Sequence, residues 1–131
     1  MILGTGIDLV SVERFSSWAS IPMLQLKKIF SEEEINYCLK VPRLSAQRFA
    51  VRFAVREAFF KALSVWQKTV RHPLLKVCKS VKLVHSENQA PVMHINWTML
   101  GVEKNHGSLV VHCSLTHTAD SALAMVIIEK L

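Results

Sequence analysis

The chemistry this chain could do rests on two carboxylates in unusual settings. Asp8 lies inside the apolar run Ile2–Val10, following Gly4 and Gly6 on the same face of an extended strand. Those glycines leave space beside the carboxylate for another backbone or a ligand. Glu57 lies within Arg48–Leu63, where Phe49, Ala50, Phe53, Ala54, Phe60 and Lys61 share its side of a helical wheel. A carboxylate among phenylalanines is costly to bury unless a partner charge or a metal compensates, so Glu57 marks a candidate site. The plainer alternatives are an i,i+4 pair between Glu57 and Lys61 on an exposed surface, and an Asp8 that caps the following helix.

If the two acids meet, they suit Mg²⁺, which takes oxygen ligands and completes its shell with water and substrate phosphate. Paired carboxylates also serve glycosidases. Arg52 and Lys61, basic groups beside the acids, favour a phosphate-bearing substrate. Arg48, Arg52 and Arg56 recur at i, i+4 and i+8. Helix geometry leaves two readings of that row open: a solvated edge, or a line of guanidinium groups facing phosphates or an acidic partner. His117, in a loop between strands, could bind phosphate or carry a proton, though a lone histidine commonly does neither.

The elements that must position these residues can be read in order. Ile2–Val10 alternates as a strand, with Leu3, Thr5, Ile7 and Leu9 on the face opposite Asp8. Short helices are expected over Ser11–Trp18 and after Pro22, the second carrying Lys27 and Lys28. Ser31-Glu-Glu-Glu34 reads as a capping box opening a further helix, so those acids have a structural explanation. Pro42 ends that helix, and Arg48–Leu63, apolar almost all round, is the buried central one. Trp66–Leu75 is a basic connector. Lys76–His85 and Val92–Asn96 read as strands about the turn Ser86–Pro91, and Trp97–Lys104 as a short helix closing at Asn105 or Gly107. Ser108–Leu115 and Ser121–Glu129 form an antiparallel hairpin through Thr116–Asp120. The fold class is α+β: an antiparallel sheet packed against a long central helix and shorter helices.

The chain has 131 residues, half of them apolar, and reads as one domain spanning 1–131. Its formal charge of +6 calls for an anionic partner. Cys38, Cys78 and Cys113 are widely spaced and read as reduced, buried thiols of a cytoplasmic protein. The histidines show no zinc spacing. The start, with Asp8 inside its apolar run, reads as neither leader nor membrane span. A small basic nucleic-acid-binding module is the alternative class, supported by charge and the arginine row but lacking a recognisable nucleic-acid motif.

Three motifs in order, Gly6-Ile-Asp8 with Arg14, Arg52-Phe-Ala-Val-Arg-Glu57-Ala-Phe-Phe-Lys61-Ala-Leu, and Ser114-Leu-Thr-His117-Thr, resemble the bacterial holo-[acyl-carrier-protein] synthases. These are small phosphopantetheinyl transferases, and the resemblance runs essentially end to end. It implies transfer of 4'-phosphopantetheine from coenzyme A to a serine of apo-acyl carrier protein, releasing adenosine 3',5'-bisphosphate. It implies Asp8 and Glu57 as Mg²⁺ ligands, with catalytic roles for Glu57 and Lys61. Arg52, Lys61 and His117 match coenzyme-binding positions, and Arg14 matches a basic position that meets the acidic carrier protein. Lys27 and Lys28 could extend that patch. A homotrimer with sites between subunits is also implied. The chain departs from the family pattern at Arg56, where a lysine is usual, at Ser64, where a glycine is usual, and over Gln89-Ala-Pro91, where the turn is usually Gly-Lys-Pro.

Overall fold

The structure, a computed structural model, describes residues 1–103 and 107–131. Helix α3, Ser45–Trp66, is its axis and extends the expected Arg48–Leu63 at both ends. Phe49, Ala50, Phe53, Ala54, Val55, Ala58, Phe59, Ala62 and Leu63 are all buried, as expected of a helix that is apolar almost all round. Strands β1 (Ile2–Ser11), β4 (Leu109–His117) and β5 (Ser121–Lys130) form an antiparallel sheet in the order β1-β5-β4. The inner face of that sheet packs on α3. Strands β2 (Val81–His85) and β3 (Pro91–Ile95) form a separate antiparallel pair.

In β1 the alternation holds: Gly4, Gly6, Asp8 and Val10 are buried, while Thr5, Ile7 and Leu9 are exposed. What the glycines admit is backbone. A Cβ on Gly6 would lie 1.9 Å from the Ala58 carbonyl oxygen, and one on Gly4 would lie 2.1 Å from that of Ala62. Strand and helix therefore touch main chain to main chain.

Helix α2, Glu32–Lys40, opens with the expected capping box: the Glu34 N–H donates to Ser31 Oγ, and the Ser31 N–H donates to Glu34 Oε1. Glu34 does more than cap. Its carboxylate accepts Arg56 Nη1 at 2.8 Å and Nη2 at 2.7 Å. Arg56 is 0% exposed, which removes it from any row facing solvent or phosphate. Its remaining donor capacity goes to the carbonyls of Ile29, Arg52, Cys78 and Val81. A lysine, with one nitrogen and three donors, could not make this set.

Several expected boundaries move. Lys76–His85 splits into helix α4, Leu74–Ser80, and strand β2. Leu74, Val77, Cys78 and Val81 recur with helical spacing behind Pro73, and that period outweighs the β-branched content. Ser11–Trp18 is not one helix but two 3₁₀ turns, Val12–Phe15 and Trp18–Ser20, which place the Phe15 ring 5.5 Å from that of Phe53. Helix α1 is only Met23–Leu26, so Lys27 stands at its C-cap and Lys28 beyond it. Strand β4 continues through His117, and the hairpin turn shortens to Thr118–Asp120, where Thr118 Oγ1 accepts the Asp120 and Ser121 N–H groups. Over Trp97–Gly101 there are turns rather than a helix. The Asn96 side chain takes the Met99 N–H, and Gly101 has φ +69°. The expected last residue, Lys104, and the closing position Asn105 lie outside the described residues, while Gly107, the other closing position expected, has φ +79°.

Removing one partner of a buried pair leaves the other uncompensated. Glu34→Ala should therefore lower stability by about 3–5 kcal/mol in urea unfolding. Glu33, which is 74% exposed and pairs with Lys82, should lose no more than about 1 kcal/mol on the same change. Equal losses would show that Glu34 acts only as a cap.

Candidate active site

The contact between β1 and α3 brings Asp8 against the Glu57 turn of the helix. Lys61, one turn further on, donates its Nζ to Asp8 Oδ1 at 3.1 Å and to the Ile7 carbonyl at 2.8 Å. The i,i+4 alternative thus yields to a cross-element pair, with Lys61 bonded to Asp8 and acting on Glu57 only through space. Nor does Asp8 cap the next turn, whose N-cap is Ser11. Asp8 is buried, and its Oδ2 has no hydrogen-bond partner.

Glu57 lies close enough to Asp8 for the Asp8 charge to act on its carboxyl. Burial first, and then the Asp8 charge, push its carboxyl above the usual carboxylate range, while Arg14 and Lys61 pull it down. Arg14 reaches the site from the first 3₁₀ turn, its guanidinium 5.0 Å from the centre of the Phe53 ring. Among the described residues no group of three or more His, Cys, Asp or Glu side chains could hold a metal ion. The donors present are two carboxylates, one with an unmatched buried oxygen. That set fits a hard cation that supplies most of its shell from water and ligand oxygens. It does not fit zinc, which takes nitrogen and sulfur in closed sites.

Arg52 and His117 lie elsewhere. They line a cavity of about 360 Å³ together with Tyr37, Gln47, Arg48 and His85, and neither acid borders it. Arg52 projects from α3 toward α2 and is almost fully buried; its Nη1 donates to the Arg48 carbonyl, and its Nε has no hydrogen-bond partner. Burial lowers its pKa from the ordinary value, with Cys38, Glu34 and Tyr37 opposing. His117, exposed at the end of β4, contacts the Gln47 side-chain amide through Nδ1. Lys27 is 3.3 Å from Glu32, and exposed Lys28 borders another cavity with Trp18, Ile21 and Leu75. The structure therefore gathers Asp8, Glu57, Lys61 and Arg14, and sets Arg52 and His117 apart from them.

Tyr37, Gln47 and His85 were not singled out by the sequence. Their spacing carries no motif, and only α2 packing beside α3 brings Tyr37 next to the arginines. Cys38 and Cys78 are pushed up to about 12 and about 11, chiefly by burial, so neither is a nucleophile at neutral pH.

A sequence profile of the 4'-phosphopantetheinyl transferase superfamily matches residues 4–119. The chain belongs to that superfamily. A holo-[acyl-carrier-protein] synthase of Treponema denticola is 36% identical over 129 residues, covering 98% of this chain and 99% of its own. Among solved structures, the holo-[acyl-carrier-protein] synthase of Neisseria meningitidis is 26% identical with a TM-score of 0.76, covering 99% of this chain and 100% of its own. That of Helicobacter pylori, in complex with coenzyme A, is 27% identical with a TM-score of 0.69, covering 95% and 99%. The mixed helix and antiparallel-sheet architecture is thus that of the phosphopantetheinyl transferases.

In this phosphopantetheinyl transferase the raised Glu57 carboxyl has a consequence for stability. Its native state holds the Glu57 proton more tightly than the unfolded chain does, so the group costs stability as pH rises from the ordinary value of 4.5 through the raised native one. Glu57→Gln should therefore gain in melting temperature over the native protein as pH rises through that window. Below it, in metal-free buffer, the two should converge. A gap that stays constant with pH would show that Glu57 titrates normally.

Proposed function

We infer that the chain is a holo-[acyl-carrier-protein] synthase. It transfers the 4'-phosphopantetheine arm of coenzyme A to a serine hydroxyl of apo-acyl carrier protein and releases adenosine 3',5'-bisphosphate. What carries the reading is the meeting of Asp8, Glu57 and Lys61 in a chain that matches such synthases along its whole length.

Asp8 and Glu57 are the residues that would hold Mg²⁺; the unmatched Asp8 oxygen and the crowding of two carboxylates support this. When bound, the ion neutralises pyrophosphate charge. Lys61, already 3.1 Å from Asp8, holds its ammonium where the phosphate oxygens gain negative charge. Glu57, directly or through one water, takes the serine proton as the serine oxygen attacks the β-phosphorus. The bond to the bridging oxygen breaks, and adenosine 3',5'-bisphosphate leaves. Arg52 and His117 hold a phosphate of the coenzyme that does not react.

The carrier protein, being acidic, meets Arg14, with Lys27 and Lys28 extending the patch; the formal charge of +6 supports such an encounter. Lys27 contributes least, since Glu32 already pairs with it. Arg14 also acts on Glu57, so it links carrier docking to the acid pair. The nucleic-acid alternative loses one of its three arginines, because Arg56 is buried against Glu34.

Assembly as a homotrimer with sites between subunits is supported by two observations. The sheet face turned away from α3 is apolar: Ile7 is 57%, Leu9 65% and Met125 42% exposed, and Ile7 and Met125 are partners in register. The acid pair and the Arg52–His117 cavity are also separate within one chain, and a shared site would unite them. The cytoplasm is the proposed compartment, and three free cysteines support a reducing one.

Incubated with coenzyme A and Mg²⁺, apo-acyl carrier protein should gain the mass of phosphopantetheine in the presence of this protein. Asp8→Asn or Glu57→Gln should slow the gain by about 100-fold or more, and a chelator should stop it. A carrier protein of unchanged mass with the native enzyme would overturn the reading.

For assembly, light scattering should report three chain masses for the native protein and one for Met125→Glu, which places a charge in the apolar face. A native protein of single-chain mass would remove the trimer.

A further inference from the structure

Tyr37 is not among the residues to which the sequence assigned a role, yet two guanidinium groups converge on its ring. The central carbon of Arg48 lies 3.9 Å from the ring centre and that of Arg52 lies 4.5 Å away. Arg48 is fixed again from the same residue, its Nη1 donating to the Tyr37 carbonyl at 2.7 Å. Two arginines one turn apart on one helix repel. An aromatic face between or beside them offsets that repulsion, because its quadrupole presents negative charge to both.

Two cavities also meet near this residue. One, of about 360 Å³, has Arg48, Arg52, His85 and His117 in its wall. A smaller one, about 170 Å³, is bordered by Glu33, Glu34, Arg52 and His85. Tyr37 belongs to both walls. Arg52 lacks a full partner of its own. Its side chain is 5% exposed, its Nε is unbonded and lies 3.9 Å from Glu34, and Arg56 already engages both oxygens of that carboxylate. A buried guanidinium with that much unmatched charge, at the wall of a cavity with a second arginine, is set up for an anion. The Arg52 charge is felt in the wall itself, where it adds to burial in lowering the His85 pKa.

We propose that Tyr37 is the positioning residue of the larger cavity: its ring holds Arg48 and Arg52 toward a phosphate monoester. This rests on the reading of the protein as a coenzyme A-dependent transferase. Coenzyme A carries one phosphate monoester, at its ribose 3' position, apart from the pyrophosphate that reacts. Held by the ring, the two arginines meet that dianion together. Without the ring, Arg48 turns to solvent and Arg52 leans toward Glu34, so the cavity loses preference for the monoester while the acid pair at β1 is untouched.

The test is steady-state transfer to apo-acyl carrier protein with coenzyme A and with 3'-dephospho-coenzyme A, using native, Tyr37→Phe, Tyr37→Leu and Arg48→Gln proteins. Tyr37→Leu should raise KM for coenzyme A about tenfold with kcat within about twofold, and raise KM for the dephospho compound less than about threefold. Tyr37→Phe keeps the ring and should restore the native ratio of the two KM values. Arg48→Gln should reproduce the lost ratio, and the double variant Tyr37→Leu/Arg48→Gln should be no worse than either, as expected when one residue acts through the other. Tyr37→Leu losing both ligands equally, or losing kcat at unchanged KM, would overturn the proposal while native transfer proceeds. So would a Tyr37→Phe protein as impaired as Tyr37→Leu. Absence of transfer by the native protein overturns the parent reading, and this proposal with it.

Discussion

The bidentate pair between Arg56 and Glu34 is the constraint on which the rest of the structure depends. One guanidinium, wholly removed from water, joins the start of α2, the chain after α1, the end of α4 and the start of β2 to the middle of α3. Such a group has no tolerable position except the one where every donor is matched. It therefore fixes the rotation of α3 about its own axis. Each residue advances the helix by about 100°, so with Arg56 locked toward α2 and α4, Glu57 is carried round toward β1. The carboxylate that faces Asp8 owes its direction to the arginine before it.

The same helix thus serves opposite charges on different sides. Its β1 side holds two acids answered by Lys61 and Arg14, and its α2 side holds Arg48 and Arg52 answered only in part by Glu34. Phe49 and Phe53 lie between these regions in the aromatic cluster with Phe15, Trp18 and Phe30. Apolar walls of this kind keep each set of charges from neutralising the other, and they strengthen what each set does locally.

What could be read from the sequence was whatever repeats along it. The alternation of β1, the apolar surface of α3 and the Ser31–Glu34 capping box are local patterns, and the structure follows them. So does the meeting of Asp8 and Glu57, suggested by two acids in costly settings and realised by the glycine contact. What escaped depends on residues far apart. Glu34 was fully explained by its cap, and nothing nearby announces a second partner 22 residues on. Arg56 looked like one third of a charged row, although its neighbours in space are carbonyls from three other segments. The Leu74–Ser80 helix was hidden by β-branched content, and the division between Glu57 and the Arg52–His117 cavity follows from packing on both sides of one helix. Glu57 itself proves only half-buried, because the stripe that flanks it opens toward Lys61.

The contact of Gly4 and Gly6 with the carbonyls of Ala58 and Ala62 has a consequence for how such a protein can change over time. The separation of Asp8 from Glu57 is set by peptide units meeting peptide units, a dimension shared by any sequence that keeps small residues there. The other side of β1, carrying Thr5, Ile7 and Leu9, takes no part in that dimension. Substitutions there can redraw the outer surface, and whatever it adheres to, at no cost to the gap between the acids. A single strand can in this way serve two ends, one side setting the gap between the acids and the other shaping the surface that the chain offers to a partner.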